Sequence, residues 1–212
     1  HDALPICIKF IPTLNRVRGH IRFNDTAGDS SRMEYCLITG GLAYGNNLYY
    51  SGGGICCIYA NPTICHCTIS GNAAEDDGGG ICCDYFSNPT ISYCTISDNT
   101  ANDDGGGIYC NYSSPHISHS SISSNAADSS GGGLCCNTGS NTDISRCTFS
   151  GNTANINGGG IYCFNSNPVI DHCTVCDNAA TNGGGIYCRS SNIDIVNCNI
   201  DNNSVEGIYF FY

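Results

Sequence analysis

Cysteine is the residue type with the most chemistry to offer in this sequence, and the chain carries 18 of them. Cysteines can ligate metals, exchange electrons or form disulfide bonds, and their spacing usually separates these roles. The sequence has no pair of CxxC motifs, no CxxCH haem motif and no Cys/His finger spacing. The cysteines therefore predict disulfide bonds, which form and persist in oxidising compartments.

Four aspartates, Asp76, Asp77, Asp103 and Asp104, stand just before two successive triple glycines. Carboxylate oxygens are ligands that Ca²⁺ prefers, so acids brought together by adjacent repeats could hold calcium. The same turn reads Ser-Ser and Ile-Asn in later repeats, which is typical of a solvent-exposed turn that tolerates substitution. The four aspartates are weak calcium candidates, and we predict no metal site.

A repeated stretch must position these residues. Triple glycines begin at residues 52, 78, 105, 131, 158 and 183, so the steps between them are 26, 27, 26, 27 and 25 residues. Around the glycines runs the pattern GGGIxC, a short loop, xIxxCTIxxNxA, and a turn rich in Asp, Asn and Ser. Apolar residues alternate with polar ones in short segments bounded by Gly, Asn and Pro, which indicates strands and no helix. Each repeat is therefore predicted to be one coil of short β-strands.

A coil of this size cannot bury its apolar residues alone, so successive coils must stack at the strand spacing of about 4.8 Å. Stacking puts equivalent residues in columns. The two apolar columns predicted to face inward are Ile55, Ile81, Ile108, Leu134, Ile161 and Ile186, and Ile69, Ile96, Ile122, Phe149, Val175 and Ile200. A third column, whose side-chain amides are expected to bond to one another and to satisfy buried turn backbone, is Asn72, Asn99, Asn125, Asn152, Asn178 and Asn203.

The simplest disulfides then lie inside each coil. The predicted pairs are Cys57 with Cys67, Cys83 with Cys94, Cys136 with Cys147, Cys163 with Cys173, Cys188 with Cys198, and Cys7 with Cys36 at the N-terminal end. Cys110 is expected to be unpaired because Ser120 stands opposite it. Pairing along a column is a rival that the geometry disfavours, since strands about 4.8 Å apart hold Cβ atoms farther apart than the roughly 3.8 Å of a disulfide. A buried ladder of thiols is the other alternative.

Three histidines, His66, His119 and His172, recur in alternate coils. Alternate coils are separated by two strand spacings, about 9.6 Å, which is too far for neighbouring histidines to share one ion. We therefore expect surface histidines and not a metal site.

The repeats resemble those of right-handed parallel β-helix proteins of bacterial surfaces, in particular the polymorphic outer membrane proteins, whose repeats carry GGA[ILV] and FxxN. The counterparts here are Gly53-Gly54-Ile55, with Gly in place of Ala, and Phe149-Ser150-Gly151-Asn152, while other coils carry IxxN. The resemblance covers residues 52 to 206 well and 20 to 51 loosely. It implies an all-β, right-handed parallel β-helix (β-solenoid) of about 26–27 residues per coil, and it leaves the activity open because such repeats serve adhesins, passengers and structural proteins alike.

The domain organisation predicted from these repeats has three parts. Residues 1 to 19 form an N-terminal strand and cap segment, and residues 20 to 206 form the β-helix, with coils beginning near 20, 52, 78, 105, 131, 158 and 183. Residues 207 to 212 are an incomplete C-terminal coil.

An enzyme of this fold would need clustered carboxylates to cleave a polysaccharide, often with calcium and a basic residue on the same face. The acids of this chain do not cluster in that way. We predict no catalytic residue and no cofactor, and the chain is expected not to be an enzyme.

The formal net charge is −11, yet five of the seven basic residues lie within the first 32 positions. An acidic body repels nucleic-acid phosphates and anionic lipid, so neither is an expected partner. Membrane insertion is not expected either, because no run of 18 or more apolar residues occurs. The chain begins at His1, as a processed product would, and together with the predicted disulfides this favours an extracellular or cell-surface location.

The two ends of the chain are predicted to meet in self-assembly. The C-terminal residues match the first strand of a further repeat, and an apolar, strand-like segment near the N-terminus precedes basic residues that complement the acidic body. Head-to-tail stacking would let the N-terminal segment of one subunit complete or cover the unfinished coil of the next. The alternative is an ordinary cap on its own subunit. The residues predicted to take part are Ile6, Ile8, Phe10, Ile208, Phe210, Phe211 and Tyr212.

These observations favour an extracellular structural or adhesive β-solenoid whose main partner is a second copy of itself, and possible further partners are glycans or host and cell surfaces. The alternative function is a carbohydrate-binding or carbohydrate-cleaving β-helix of a surface or fibre protein. An outward threonine column resembles an ice-binding array, but serine and asparagine interrupt it, which makes ice binding a minor alternative.

Overall fold

The computed structural model describes residues 7–8, 21–24, 31–44 and 50–212, and residues 7 and 8 are described by their backbone alone. Within these ranges the chain forms 28 β-strands and no helix. None of the described residues therefore belongs to a helix long and apolar enough to cross a membrane. The strands are short because each coil turns four times, passing in order through sheets 1, 2, 3 and 4.

Sheets 1 and 2 contain eight described strands each. Sheet 1 consists, in order, of β2 (Ile21–Asn24), β6 (Ile55–Ile58), β10 (Ile81–Asp84), β14 (Ile108–Asn111), β18 (Leu134–Asn137), β22 (Ile161–Phe164), β25 (Ile186–Arg189) and β28 (Ile208–Phe211). Sheet 2 consists of β1 (Cys7–Ile8), β3 (Arg32–Glu34), β7 (Thr63–Cys65), β11 (Thr90–Ser92), β15 (His116–Ser118), β19 (Asp143–Ser145), β23 (Val169–Asp171) and β26 (Asp194–Val196).

Sheets 3 and 4 are smaller, with seven and five described strands. Sheet 3 consists of β4 (Leu37–Thr39), β8 (Thr68–Ser70), β12 (Thr95–Ser97), β16 (Ser121–Ser123), β20 (Thr148–Ser150), β24 (Thr174–Cys176) and β27 (Asn199–Asp201). Sheet 4 consists of β5 (Leu42–Ala43), β9 (Ala73–Ala74), β13 (Thr100–Ala101), β17 (Ala126–Ala127) and β21 (Thr153–Ala154).

Every strand pairs in parallel with its equivalent in the next coil, so equivalent side chains stack directly. Ile81 pairs with Ile55 on one side and with Ile108 on the other, and all three side chains are fully buried. In sheet 3, Ile96 pairs in the same way with Ile69 and Ile122. Both predicted apolar columns are confirmed, and together they fill one continuous core along the axis of the solenoid.

The predicted asparagine column is also confirmed. Asn99 Nδ2 donates to Asn125 Oδ1 at 2.9 Å, and the backbone N–H of Asn99 donates to the same oxygen at 3.1 Å. Asn99 Nδ2 also donates to the carbonyl oxygen of Ile69 at 3.0 Å. Each asparagine thus satisfies its own amide and a buried backbone group at the corner between sheets 3 and 4.

The first glycine of each triple is required by the backbone. Gly78 and Gly105 have φ of 67° and 68°, in the left-handed region that favours glycine. A Cβ on Gly78 would lie only 2.6 Å from the carbonyl oxygen of Ile81 and 3.0 Å from Cys82. Because these glycines lack a side chain, the turn can fold tightly against the outward face of sheet 1.

Candidate functional site

The acidic turns lie between sheet 4 and the triple glycines of two adjacent coils, and we call Asp76, Asp77, Asp103 and Asp104 the acidic cluster. One carboxylate oxygen each from Asp76, Asp77 and Asp103 lies within 4.8 Å of the others. Parallel stacking of the two turns brings these three side chains together. The fourth, Asp104, points toward the following coil, where its Oδ1 accepts a hydrogen bond of 2.8 Å from the backbone N–H of Ser130.

Two of these carboxylates belong to a polar column that links successive turns. The Oδ1 of Asp77 accepts a hydrogen bond of 3.0 Å from the backbone N–H of Asp104. The backbone N–H of Asp77 donates in turn to Ser51 Oγ at 3.4 Å. Further along the column, Asn157 Nδ2 donates to Ser130 Oγ at 3.5 Å. Ser51 thus accepts from the next turn in the same way as Asp77 and Asp104, and Ser130 and Asn157 continue the column through their side chains, which indicates a structural role for these positions.

Burial and like charge raise the pKa of Asp76, Asp77 and Asp104. Burial, followed by the neighbouring charges of Asp76, Asp104 and Asp103, raises the pKa of Asp77 to about 8. The pKa of Asp104 rises to about 6, first through burial and then through Asp103. The pKa of Asp76 is also raised, by burial and by Asp103. Protons therefore bind to this cluster at pH values where an ordinary aspartate is ionised.

The cluster could supply three oxygen ligands to a divalent cation. Calcium takes six to eight oxygen ligands, so water or other groups would have to provide at least half of the shell. The hydrogen bonds of Asp77 and Asp104 give these two residues a place in the turn column that needs no ion. A metal-free role for these aspartates stays a prediction.

A column of cysteine and tyrosine lies under the acidic turns, on the outward face of sheet 1. Tyr109 and Cys135 are buried there, apart from the main core. Tyr109 Oη accepts a hydrogen bond of 3.1 Å from Asn137 Nδ2. Burial and then the charge of Asp77 raise the pKa of Tyr109. This column was not predicted from the sequence, although the residue before the Cys of each GGGIxC motif, including the one with Leu134 in place of Ile, is always Cys or Tyr.

The predicted disulfides within coils are wrong. No disulfide joins any two of the described cysteines, which include the pairs Cys57 with Cys67, Cys83 with Cys94, Cys136 with Cys147, Cys163 with Cys173 and Cys188 with Cys198. Thiols instead contact thiols of neighbouring coils, as Cys83 does with Cys110 and Cys57. The Cys7 side chain lies outside the described residues, so its pairing with Cys36 stays a prediction.

Hydrogen bonding gives the physical reason for this correction. The sulfur of Cys173 donates to the carbonyl oxygen of Asp171 at 3.2 Å and accepts from the backbone N–H of Cys147 at 3.3 Å. Ser120 makes the same two bonds, donating to Ser118 at 2.8 Å and accepting from Cys94 at 3.0 Å. Serine cannot replace half of a disulfide, but it can replace a thiol that bridges backbone groups. The extracellular location was expected partly because of these disulfides, so that argument no longer supports it, and the location stays a prediction.

The histidine column lies at the exposed corner between sheets 2 and 3. His66 and His119 each stack on Tyr93, with ring centroids 5.0 Å and 4.7 Å apart. The ring of Tyr93 lies between the two imidazoles. The absence of a shared ion stays a prediction. The faces of these rings contact one another, so mainly their edges are available to a partner.

Some of the residues predicted to take part in head-to-tail stacking lie in the described strands β1 and β28. Ile208, Phe210 and Phe211 lie on β28, which pairs with β25, and the side chains of Phe210 and Phe211 are about half exposed, at 44% and 48%. Tyr212 follows them and is almost fully exposed. The backbone of β1 pairs with β3 of its own subunit, through Ile8 opposite Met33. Ile6, Phe10 and the side chain of Ile8 lie outside the described residues.

Comparison with known families agrees with this geometry. Residues 26–129 and 116–212 match the model of the right-handed β-helix region. The chain belongs to this family. The match identifies the solenoid as a right-handed β-helix over nearly all of its length. It does not show the narrower resemblance to polymorphic outer membrane proteins. No curated protein and no solved structure matches the chain. A β-helix of this kind does not fix an activity, because function depends on the residues placed on the fold.

Proposed function

We propose that this β-helix is a non-enzymatic structural or adhesive protein that stacks head to tail with copies of itself into a filament. The observation that carries the proposal is the difference between the first and the last described strands of sheets 1 and 2. Sheet 2 extends one strand beyond the first full coil, through β1, whereas sheet 1 extends one strand beyond the last, through β28. The two projecting strands therefore belong to different sheets at opposite ends.

These projections complement each other in a stack. Within every coil a sheet 1 strand is followed by a sheet 2 strand, as β6 is followed by β7. If one subunit follows another, β28 of the first and β1 of the second fill the sheet 1 and sheet 2 positions of a single shared coil. The edge of β28 opposite to β25 would then meet β2, and the edge of β1 opposite to β3 would meet β26. An edge strand offers unpaired N–H and C=O groups that favour such pairing.

Side chains at the joint support the same arrangement. Tyr209 continues a stack of tyrosine rings, with its centroid 5.2 Å from that of Tyr187. The partly exposed Phe210 and Phe211 would gain cover from the next subunit. Arg22 on β2 would bring a positive charge to the acidic C-terminal end. Burial of apolar surface and extension of the two sheets would then both stabilise the contact between subunits.

A structural role also fits the use of polar side chains inside the coils. The backbone N–H of Ser87 donates to Ser113 Oγ at 3.0 Å, and that of Ser113 donates to Ser140 Oγ at 3.2 Å. No buried side-chain nitrogen or oxygen lacks a hydrogen-bond partner in the part of the chain that is described. The buried polar side chains thus join coil to coil, which supports a structural function.

Electron microscopy and fibre diffraction of the 212-residue chain test the proposal. Seven coils and one shared coil at about 4.8 Å each give an expected axial repeat of about 38 Å. Removing residues 207–212 should leave single subunits. The control Phe86→Asp changes an aromatic side chain that is 68% exposed on the lateral surface, and it should still assemble. A monomeric intact chain at high concentration, or fibres of the same repeat from the shortened chain, would overturn the proposal.

A second candidate function is glycan binding, favoured by a row of exposed aromatic side chains at the corner after sheet 1. Tyr59 and Tyr85 stack with ring centroids 5.5 Å apart, and Phe86 lies 6.3 Å from Tyr112. Contiguous exposed apolar surface often marks a site of interaction. Glycan-array binding that is lost in Phe86→Asp would support this function, and cleavage of any polysaccharide would contradict the non-enzymatic proposal.

A further inference from the structure

Cys56 and Cys82 are the two thiols that follow Arg22 in the outward column of sheet 1. Arg22 pairs with Cys56, and Cys56 pairs with Cys82, in parallel register. Both cysteines are 2% exposed, and neither forms a disulfide. The backbone of the glycine turns covers them, since a Cβ on Gly52 would lie 2.8 Å from the Cβ of Cys56. The pair is therefore separated from the main core and lies close to the surface.

The spacing of this pair suits a bridging ion better than a covalent bond. In-register residues on adjacent strands are about 4.8 Å apart, whereas a disulfide prefers Cβ atoms about 3.8 Å apart. Two metal–sulfur bonds of about 2.3 Å in a straight line span about 4.6 Å, close to one strand spacing. A two-coordinate ion could thus join the thiols with little movement of the strands.

Charge distinguishes this pair from the thiols of the main core. A monovalent cation held by two thiolates leaves one net negative charge, which must be compensated when it is buried. Arg22 occupies the position next to Cys56 in this column, in register with it, and can supply that compensation. In the inward column of sheet 1, the residue in register with Cys57 is Phe23, which carries no charge.

We infer that Cys56 and Cys82 form a two-coordinate site for a thiophilic monovalent cation of the Cu(I) or Ag(I) type. Soft thiolate ligands select such ions. On binding, each S–H releases its proton to solvent and each sulfur forms one bond to the metal, with no change in oxidation state. Arg22 offsets the remaining negative charge.

The same column provides variants that the fold should accept. Tyr109, Tyr162 and Tyr187 occupy the equivalent position in other coils, so Cys82→Tyr places in this column a residue that it already holds. Cys135 lies between Tyr109 and Tyr162 and has no thiol neighbour in the column. Cys135→Tyr is therefore the matched control, because it removes a buried thiol without breaking a pair.

Titration of the reduced chain with Ag(I), using the ion alone as the probe, tests the site. The first equivalent should bind with two sulfur ligands by X-ray absorption and should raise the melting temperature. Cys82→Tyr should lower the affinity for this first equivalent by more than about tenfold, because loss of a residue that merely supports a metal ligand already costs that much. Cys135→Tyr should leave the affinity unchanged. The inference would be overturned if both variants lost affinity equally or if Cys82→Tyr lost none. It would also be overturned by three sulfur ligands or by a loss of affinity in Cys110→Ser.

Discussion

The hydroxyl of Ser120 accepts a hydrogen bond of 3.0 Å from the backbone N–H of Cys94, at the place where other coils use a cysteine sulfur. This equivalence predicts how the cysteines respond to substitution. Cys173→Ser should change the free energy of unfolding by less than about 1 kcal/mol, because the hydroxyl can make both bonds of the thiol. Cys173→Ala should cost about 1–3 kcal/mol, because the N–H of Cys147 loses its acceptor. Urea denaturation measures both, and equal losses would instead indicate a covalent role for Cys173.

Asn125 is an interior member of the asparagine column and makes bonds in both directions. It accepts from Asn99 Nδ2 at 2.9 Å and donates to Asn152 Oδ1 at 3.0 Å and to the carbonyl oxygen of Ile96 at 3.0 Å. Asn125→Ala should lower the free energy of unfolding by about 3 kcal/mol or more, since several buried groups lose partners. The exposed Asn102→Ala is the control and should change it by less than about 0.5 kcal/mol. Similar values for the two variants would contradict a structural role for the column.

The raised pKa of Asp77 predicts the direction of one pH effect. Its folded pKa is about 8, against an ordinary value of 3.8, so the folded protein keeps a proton that the unfolded chain loses. The contribution of this group to stability is complete below about pH 4 and is lost as the pH rises to about 8. Asp77→Asn keeps the oxygen that accepts from Asp104 and should flatten this decline, leaving the variant more stable at pH 8. Urea denaturation across this range should show no such flattening for the exposed control Asp98→Asn, and parallel curves for Asp77→Asn and the unmodified protein would refute the effect.

The three converging oxygens of the acidic cluster predict a small response to calcium. Stacked sheets, the apolar core and the polar columns hold the coils together, so EGTA should leave the thermal midpoint almost unchanged. A large drop with EGTA that calcium restores, and that Asp103→Ala abolishes, would show that the cluster binds calcium as a structural ion. Differential scanning calorimetry at a fixed pH makes the comparison.

Arg189 should control how firmly β28 is held. Its guanidinium carbon lies 5.4 Å from the ring centroid of Phe164 and 5.6 Å from that of Phe211. Such a contact is worth about 0.5–1 kcal/mol at an exposed site, so loss of the contact with Phe211 in Arg189→Ala should speed amide hydrogen exchange in β28 by about two- to fivefold. Exchange followed by mass spectrometry should show no change in β28 for Arg146→Ala, which lies on another corner. Unchanged exchange in Arg189→Ala would mean that backbone pairing alone holds the strand.

Much of the fold could be predicted because each repeat carries the same physical requirement. A column such as Ile55, Ile81 and Ile108 follows from the repeat period and from the need to bury apolar surface. The role of the cysteines could not be predicted from spacing, since a disulfide and a hydrogen-bonded thiol suit the same positions. Only Ser120 distinguished the two, and it looked like an exception. The convergence of Asp76, Asp77 and Asp103 depends on how two turns fold, which the alternation of strands does not specify.

Among the described strands, β1 extends sheet 2 on one side of the stacked coils and β28 extends sheet 1 on the other, so the two strands offer different partners for pairing. Two like ends cannot complete one coil together, because both would offer a strand to the same sheet and leave the other position empty. Any stack formed through these strands is therefore polar, with every subunit facing the same way. In the proposed filament, the β1 side and the β28 side would present different surfaces to an incoming subunit. The two sides should then elongate at different rates, and a peptide that blocks one side should leave the other growing.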